Sequence, residues 1–259
     1  MEVLFMGTGT SQGVPMIACD CSVCRSDDPR NKRTRTSVHV TMSGLHIQVD
    51  AAPEFREQCI RHGVVQVDVF LLTHAHADHV LGMDDLRRFC DRPDFPGLPV
   101  YSSAEALQRV REIYPYAIGG RPAHRGYPAF VLHEFPETLD LGVGTVSRTV
   151  LPHGPMQVLG LVFEERGSGR RFAYYTDCKA VPGPARELAR GVDLFVVDGL
   201  RPEPHPTHLS IGEAVEVAGA IGAKRTFLTH LTHAVDHETV EAQLPAGVGL
   251  ARDGLRIEV

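Results

Sequence analysis

The sequence predicts an α/β protein. Short runs rich in β-branched and aromatic residues, such as Val67-Asp68-Val69-Phe70-Leu71-Leu72 and Val192-Asp193-Leu194-Phe195-Val196-Val197, read as buried strands. Between them lie stretches with helix start and stop signals. Pro53 stands near the start and Gly63 at the end of one, and Ser210-Ile211-Gly212-Glu213 opens another with a capping-box pattern. At 259 residues, 43% of them hydrophobic, the chain can bury a sizeable core, and one αβ domain over residues 1–259 is expected.

Taken in order, residues 2–6 form a strand that runs into Gly7-Thr8-Gly9-Thr10-Ser11-Gln12-Gly13-Val14-Pro15. Glycines there permit close backbone approach, and their amides with Thr10 and Ser11 can accept an anion; a plain turn is the alternative. Next comes Cys19-Asp20-Cys21-Ser22-Val23-Cys24, in a loop rich in charge and poor in core formers. Three thiolates this close can fill three corners of a tetrahedral zinc site and staple the loop around residues 16–36, with redox-active thiols as the alternative. Residues 38–41 and 45–49 alternate around Ser43-Gly44 as a hairpin would, and the second strand ends at Asp50.

The most loaded segment follows the strand at residues 67–72. Thr73-His74-Ala75-His76-Ala77-Asp78-His79 places four potential metal ligands within six residues, on a strand-to-helix loop whose helix is expected from Asp84. Imidazole suits zinc, iron and manganese, and a carboxylate is the usual partner when a second hard cation is held nearby. Three histidines and an aspartate exceed what one ion needs. On an extended loop His74 and His76 project to one side, while Asp78 and His79 at the turn can face a second ion. A solvated histidine run is the alternative, but no homopolymeric tract surrounds the cluster.

Beyond it, helices are expected at residues 84–90, 104–113, 182–190 and 211–221, and strands at 99–101, 144–151, 158–164, 171–175 and 225–228. Residues 114–128, with Arg121, His124 and Arg125, read as an irregular rim able to contact a substrate anion, or as a solvated loop. The proline-rich run Arg201-Pro202-Glu203-Pro204-His205-Pro206-Thr207-His208 holds His208 just before a helix N-terminus, beside its positive dipole end.

Composition excludes several classes. A net charge of −6 gives no electrostatic footprint for nucleic acid. No apolar stretch approaches the roughly 20 residues of a membrane span. Met1-Glu2-Val3-Leu4-Phe5-Met6-Gly7 lacks the features of a signal peptide, so a cytoplasmic compartment is expected. Cys59, Cys90 and Cys178 are scattered, and reduced thiols are expected rather than a disulfide framework. A homodimer is left open.

The segment at residues 73–79 resembles the T-H-x-H-x-D-H signature of the metallo-β-lactamase fold superfamily. That resemblance implies a four-layer αβ/βα sandwich whose two sheets meet under a shallow cleft holding one or two metals. It implies that His153 joins His74 and His76 on one ion, that His230 joins Asp78 and His79 on the other, that Asp177 bridges both, and that Asp50 orients the loop. The pairing of C-x-C-x-x-C with the H-x-x-H of His230 and His233 is similar to a narrower group, the phosphoribosyl cyclic phosphate phosphodiesterases of phosphonate degradation, and implies His233 as fourth ligand to a structural zinc with Cys19, Cys21 and Cys24. In the phosphodiesterase branch a histidine in a comparable loop protonates the leaving oxygen; His208 matches it, with His205 as runner-up, and Asp78 counts as catalytic as well as ligating. The implied activity is hydrolysis of small cyclic or nucleotide-like phosphodiesters by a hydroxide bridging two divalent ions, zinc or manganese with iron as a third option. Rival readings on the same ligand set are a transfer-RNA 3′-processing nuclease, a thioester or lactone hydrolase, and a non-catalytic carrier.

Overall fold

The computed structural model describes residues 1–91, 96–122 and 124–259. In chain order the first sheet takes β1 (Glu2–Gly7), β2 (Ser37–Met42), β3 (Leu45–Val49), β4 (Val69–Leu71), β5 (Leu98–Ser102) and β6 (Phe130–Glu134). The second takes β7 (Thr138–Asp140), β8 (Gly144–His153), β9 (Met156–Glu165), β10 (Arg171–Tyr175), β11 (Leu194–Asp198), β12 (Arg225–Thr229) and β13 (Val248–Leu250), and β14 (Arg256–Glu258) returns to pair with β1. Helices α1 (Ser22–Arg25), α2 (Phe55–His62), α3 (Ala77–Val80), α4 (Arg87–Cys90), α5 (Ala104–Ile113), α6 (Gly183–Ala189), α7 (Ile211–Ile221) and α8 (His237–Glu241) complete the described elements.

Three apolar clusters define the layers. Val3, Phe5, Val40 and Leu71 of one sheet meet Val146, Phe163, Phe172 and Val196 of the other between the sheets. Phe55, Val80, Leu86, Leu107 and Val110 cover the outer face of the first sheet, and Ala185, Ala214, Val217 and Ile221 that of the second. Helix, sheet, sheet, helix is the four-layer sandwich expected from the sequence. Strands with apolar neighbours on both faces read as continuous hydrophobic runs, which is why β4 and β11 stood out.

In each sheet part of the pairing is parallel: β3 to β6 in the first, β10 to β13 in the second. Parallel strands all end on one rim, and the two rims face each other. Ser43 and Gly44 turn the β2–β3 hairpin with φ of 47° and 84°, as a two-residue turn requires.

Two expectations shift. Helical structure begins at Ala77, within the histidine segment, so Asp78 and His79 ride on the first turn of α3; residues Met83–Leu86, expected to open a helix, form a 3-10 turn instead. The cause is long-range: the Ala51 amide donates to the His79 carbonyl (2.8 Å) and the Gly82 amide to the Ala51 carbonyl (2.9 Å), folding the segment back onto the end of β3. The loop at residues 7–15 does not offer a row of free amides. Gly9 donates to Thr34, Thr10 to Leu231 and Gly13 to Thr10, so its glycines serve close approach, and a Cβ on Gly7 would lie 2.1 Å from the Arg35 carbonyl.

Gly82 is held so tightly that a Cβ would lie 1.9 Å from the Ala52 carbonyl and 2.8 Å from Phe55 Cβ. Gly82→Ala is therefore expected to destabilise the fold by about 1–3 kcal/mol or more. Urea unfolding monitored by circular dichroism measures it; an unchanged midpoint would show that α2 and α3 are not clamped there.

Candidate metal centre and hydrolytic site

Asp50 is the first piece. It leaves β3 in the left-handed region at φ 60°, fully buried. Its Oδ1 accepts the Thr73 amide (2.8 Å), and its Oδ2 accepts the Thr73 hydroxyl (2.8 Å) and faces His79 Nδ1 (2.7 Å). One carboxylate thereby fixes both the start of the histidine segment and the ring at its end, the orienting role expected for it.

Three further rim positions bring the rest. His153 ends β8, Asp177 follows β10 at φ 53°, and His230 follows β12 at φ 61°. At Asp177 and His230 the strained backbone turns the side chain into the gap between the sheets. Ligand atoms of His74, His76, His153 and Asp177 lie within 4.8 Å of one another, as do those of Asp78, His79, Asp177 and His230. Asp177 is common to both groups.

His74 Nε2 meets His76 Nδ1 at 3.0 Å, but the contacts that Asp177 makes inside the two groups are not hydrogen bonds. Asp177 Oδ2 lies 3.3 Å from both His79 Nε2 and His230 Nε2 and 3.8 Å from His74 Nε2. Yet His79 Nε2 and both ring nitrogens of His230 are buried without a hydrogen-bond partner among the described residues. Atoms that face one another at such distances match the roughly 3.4 Å edge of a tetrahedron around an ion with bonds near 2.05 Å. The donor set, imidazoles with shared carboxylates, fits a pair of divalent cations.

Electrostatics agree. Burial opposes charge on His79, but the carboxylates of Asp177, Asp50 and Asp78 outweigh it and hold its pKa well above the ordinary histidine value. His230 is likewise buried, yet Asp177 and Asp78 raise it to about 9. His74, buried and beside His79, is pushed well below. This much negative charge in a dry site calls for cations.

The remaining nitrogens are oriented too. His74 Nδ1 meets the Thr73 hydroxyl at 3.0 Å, and His153 Nδ1 donates to the Thr207 carbonyl at 3.0 Å. Thr207 sits in the proline-rich run and so ties that loop to His153.

His208 lines a cavity of about 260 Å³ with Ser11, His76, Asp78, Met156 and His230. Its Nδ1 donates to Asp198 Oδ2 at 2.6 Å, and the same oxygen accepts the Cys178 amide at 2.9 Å. With Nδ1 so engaged, Nε2 is the free nitrogen. Asp198 is the site residue the sequence did not reveal: it is the last residue of β11, and only the fold shows that the loop from residue 201 returns over it. Its signal would have been a buried strand ending in aspartate, as at Asp50. His205, the runner-up, takes hydrogen bonds from Thr207 at its Nδ1 and does not line this cavity.

The second cluster assembles as expected. Cys19, Cys21 and Cys24 Sγ lie 3.1, 3.5 and 3.7 Å from His233 Nδ1. The Met16 amide donates to Cys24 Sγ (3.3 Å) and the Cys24 amide to Cys21 Sγ (3.4 Å), the pattern that suits thiolates. The Cys24 amide, more than any other contact, lowers Cys21 to about 6, and burial raises Cys24 to about 11. All six cysteines are free of disulfides.

Of the two readings of residues 114–128, the solvated loop fits better than a rim that contacts substrate, with Arg121, His124 and Arg125 exposed. Tyr116 donates to Asp84, Arg87 to the Gly126 carbonyl, and Arg121, His124 and Arg125 do not line the cavity; Ala123 lies outside the described residues. A larger cavity of about 730 Å³ lies beside α2 and α4 and contains none of the ligating groups.

Residues 46–231 match the β-lactamase superfamily domain. A crystal structure described as a new diphosphatase from the PhnP family superposes with a TM-score of 0.89 at 35% identity, covering 100% of this chain and 96% of that one. An octanoyltransferase of Porphyromonas gingivalis is 35% identical over 98% of this chain but 51% of its own length, so the chain spans about half of that relative. A ribonuclease Z of Mycolicibacterium gilvum is 26% identical over 89% of this chain and 84% of its own.

Asp50→Asn keeps the shape and removes the charge that holds His79. It is expected to weaken divalent-cation binding about 10- to 100-fold, read by competition with a chromogenic chelator. Unchanged affinity in a folded variant would exclude Asp50 as the orienting group.

Proposed function

Because the chain belongs to the β-lactamase superfamily, we propose that it is a metal-dependent phosphodiesterase acting on small, cyclic or nucleotide-like phosphodiesters, with two divalent ions at the rim. The observation that carries this is Asp177, whose carboxylate belongs to both ligand groups while His208 overlooks the same cavity. His74, His76, His153 and Asp177 would hold one ion, and Asp78, His79, Asp177 and His230 the other. Such a pair supplies a nucleophilic water at neutral pH and offsets the charge of a phosphate, which suits a substrate that carries its own anion. Zinc, manganese and iron all satisfy this donor set.

The protein's own contribution is placement and proton transfer. His208 Nε2 donates a proton to the departing oxygen, and Asp198 holds the opposite N–H so that the ring keeps the right tautomer and edge. Thr207 couples this loop to His153, so general acid and metal ligand move together. Ser11 contributes a hydroxyl at the mouth. A cavity of about 260 Å³ admits a sugar phosphate but not a duplex, and a net charge of −6 disfavours a polyanion, which sets the reading apart from transfer-RNA processing. The similarity to a diphosphatase of the PhnP family supports phosphorus chemistry. The octanoyltransferase relative favours one other reading, hydrolysis of an octanoyl thioester on the same centre.

Protein loaded with zinc or manganese is expected to open a five-membered cyclic ribose phosphate and to cleave bis-p-nitrophenyl phosphate, with little action on octanoyl thioesters or structured RNA. A fully loaded sample inert toward every phosphodiester would overturn the proposal, and turnover of the thioester alone would establish the rival. His208→Ala should lower kcat about 10²- to 10⁴-fold with both ions retained by elemental analysis. Asp198→Asn should give a smaller loss and shift the pH profile; wild-type turnover in His208→Ala would remove that residue from the reaction.

A further inference from the structure

Ligating histidines ordinarily have their second nitrogen hydrogen-bonded, which sets the ring's direction. His74 has the Thr73 hydroxyl, His79 has Asp50, and His153 has the Thr207 carbonyl. His230 has none: both its ring nitrogens are buried without a partner among the described residues, and its backbone is held at φ 61°, where a non-glycine residue is strained. The His208 ring stacks on it, with centroids 4.7 Å apart, and with no hydrogen bond to fix the ring the rest of its direction comes from the chain on either side.

Before it, the Thr229 carbonyl accepts the Gly199 amide at 3.0 Å. After it the clamping is denser. Leu231 exchanges bonds with the first loop, donating to the Thr8 carbonyl (2.9 Å) and accepting from the Thr10 amide (3.2 Å), and the Thr232 amide donates to Leu200 (3.0 Å). The Thr232 carbonyl accepts from Arg33 Nη1 at 3.1 Å, and the next residue is His233 of the cysteine cluster.

Arg33 is the unusual member. It is 1% exposed and has no carboxylate within ion-pair distance among the described residues. Its Nη2 donates to Asn31 Oδ1 (3.1 Å), an oxygen that also accepts the His237 amide (2.9 Å), while Asn31 Nδ2 donates to Asp236 (2.9 Å). A buried guanidinium without a paired carboxylate is costly to retain. Here it knits the loop at residues 16–36 to the segment that carries both His230 and His233.

We propose that Arg33 and the Cys19–Cys21–Cys24–His233 cluster are the positioning device for His230, so that the second cation site, with Asp78, His79 and Asp177, reaches full affinity only when the cysteine cluster is filled. The inference rests on the two-ion reading above. The first site, formed by His74, His76, His153 and Asp177, shares Asp177 with the second but takes no histidine from this device, so its ion is expected to stay bound.

The test counts ions. Wild type, Arg33→Met, Arg33→Lys and Cys24→Ser are dialysed against limiting zinc and analysed for metal, then reconstituted with cobalt(II), whose thiolate charge-transfer bands report the cysteine cluster and whose d–d bands report the histidine sites. In Arg33→Met and in Cys24→Ser the second ion's affinity should fall about 10- to 100-fold while the first ion stays bound, with Arg33→Lys intermediate. Wild type treated with an organomercurial, which ejects the cysteine-bound ion without any substitution, should lose the second ion in parallel; this arm stands even if a variant does not fold. Retention of wild-type second-ion affinity after ejection, or in folded Arg33→Met, would overturn the inference. A wild type that never takes up a second histidine-site ion fails differently, and refutes the two-ion reading itself.

Discussion

One carboxylate organises the molecule. Asp177 is buried, sits at φ 53°, and presents a single oxygen to three imidazoles, two from the segment after β4 and one from the end of β12. An anion in a dry interior is tolerable only when compensated, and among the described residues no arginine or lysine lines the cavity around it. Compensation has to come from imidazolium or from bound cations. That requirement explains why the rim gathers histidines from residue 74 to residue 230, and why the backbone accepts strain at Asp50, Asp177 and His230. Each left-handed non-glycine residue costs on the order of 1–3 kcal/mol, a cost the two packed sheets beneath must hold in place.

The two ligand groups are built differently. Each group takes two ligands from the histidine segment, which Asp50 holds through Thr73 and His79, and the difference lies in the histidine brought from elsewhere: His153 ends β8 and is bonded to the Thr207 carbonyl. The second depends on His230, whose setting is non-local: the first loop, Arg33 and the cysteine cluster all touch its flanks. Asp253 strengthens the same arrangement from the far end of the chain, accepting the Thr8 hydroxyl and both the amide and hydroxyl of Thr34. The N-terminal loop is thus a brace for a ligand more than 200 residues away, and its glycines allow the close approach that bracing needs.

What was legible in the sequence follows this division. The histidine segment declares itself because four ligands lie on six consecutive residues, and the cysteine triplet for the same reason. The capping box of α7 and its end at Gly222 are local and appear where expected. Asp198 stayed hidden because its role exists only once the proline-rich run folds back over β11, a contact ten residues apart that neither periodicity nor motif encodes. The start of α3 inside the histidine segment depends on bonds to Ala51, and strands β7, β13 and β14, three residues each, carry too little pattern to stand out. The anion-binding reading of the glycine-rich loop is weakened because the amides of Gly9 and Thr10 go to Thr34 and Leu231, chain segments the sequence could not place beside it.

The pairing of His208 with Asp198 also constrains how the site divides its labour. Asp198 shares Oδ2 between the ring and the Cys178 amide, and Cys178 follows Asp177 directly. The carboxylate common to the ligand groups and the carboxylate that holds His208, the proposed general acid, are therefore linked through one peptide unit. A shift of the β10 rim moves both at once. His208 also stacks on His230, with ring centroids 4.7 Å apart and planes 14° from parallel, and His153 shares Thr207 with its loop. In the proposed reaction, a His208 fixed to the ligands on three sides keeps its distance to the reacting centre, and geometry held to a fraction of an ångström is what proton transfer demands. The architecture thus couples the His208 loop to both ligand groups, and the proposed proton donor is placed by the same contacts that place the ligands.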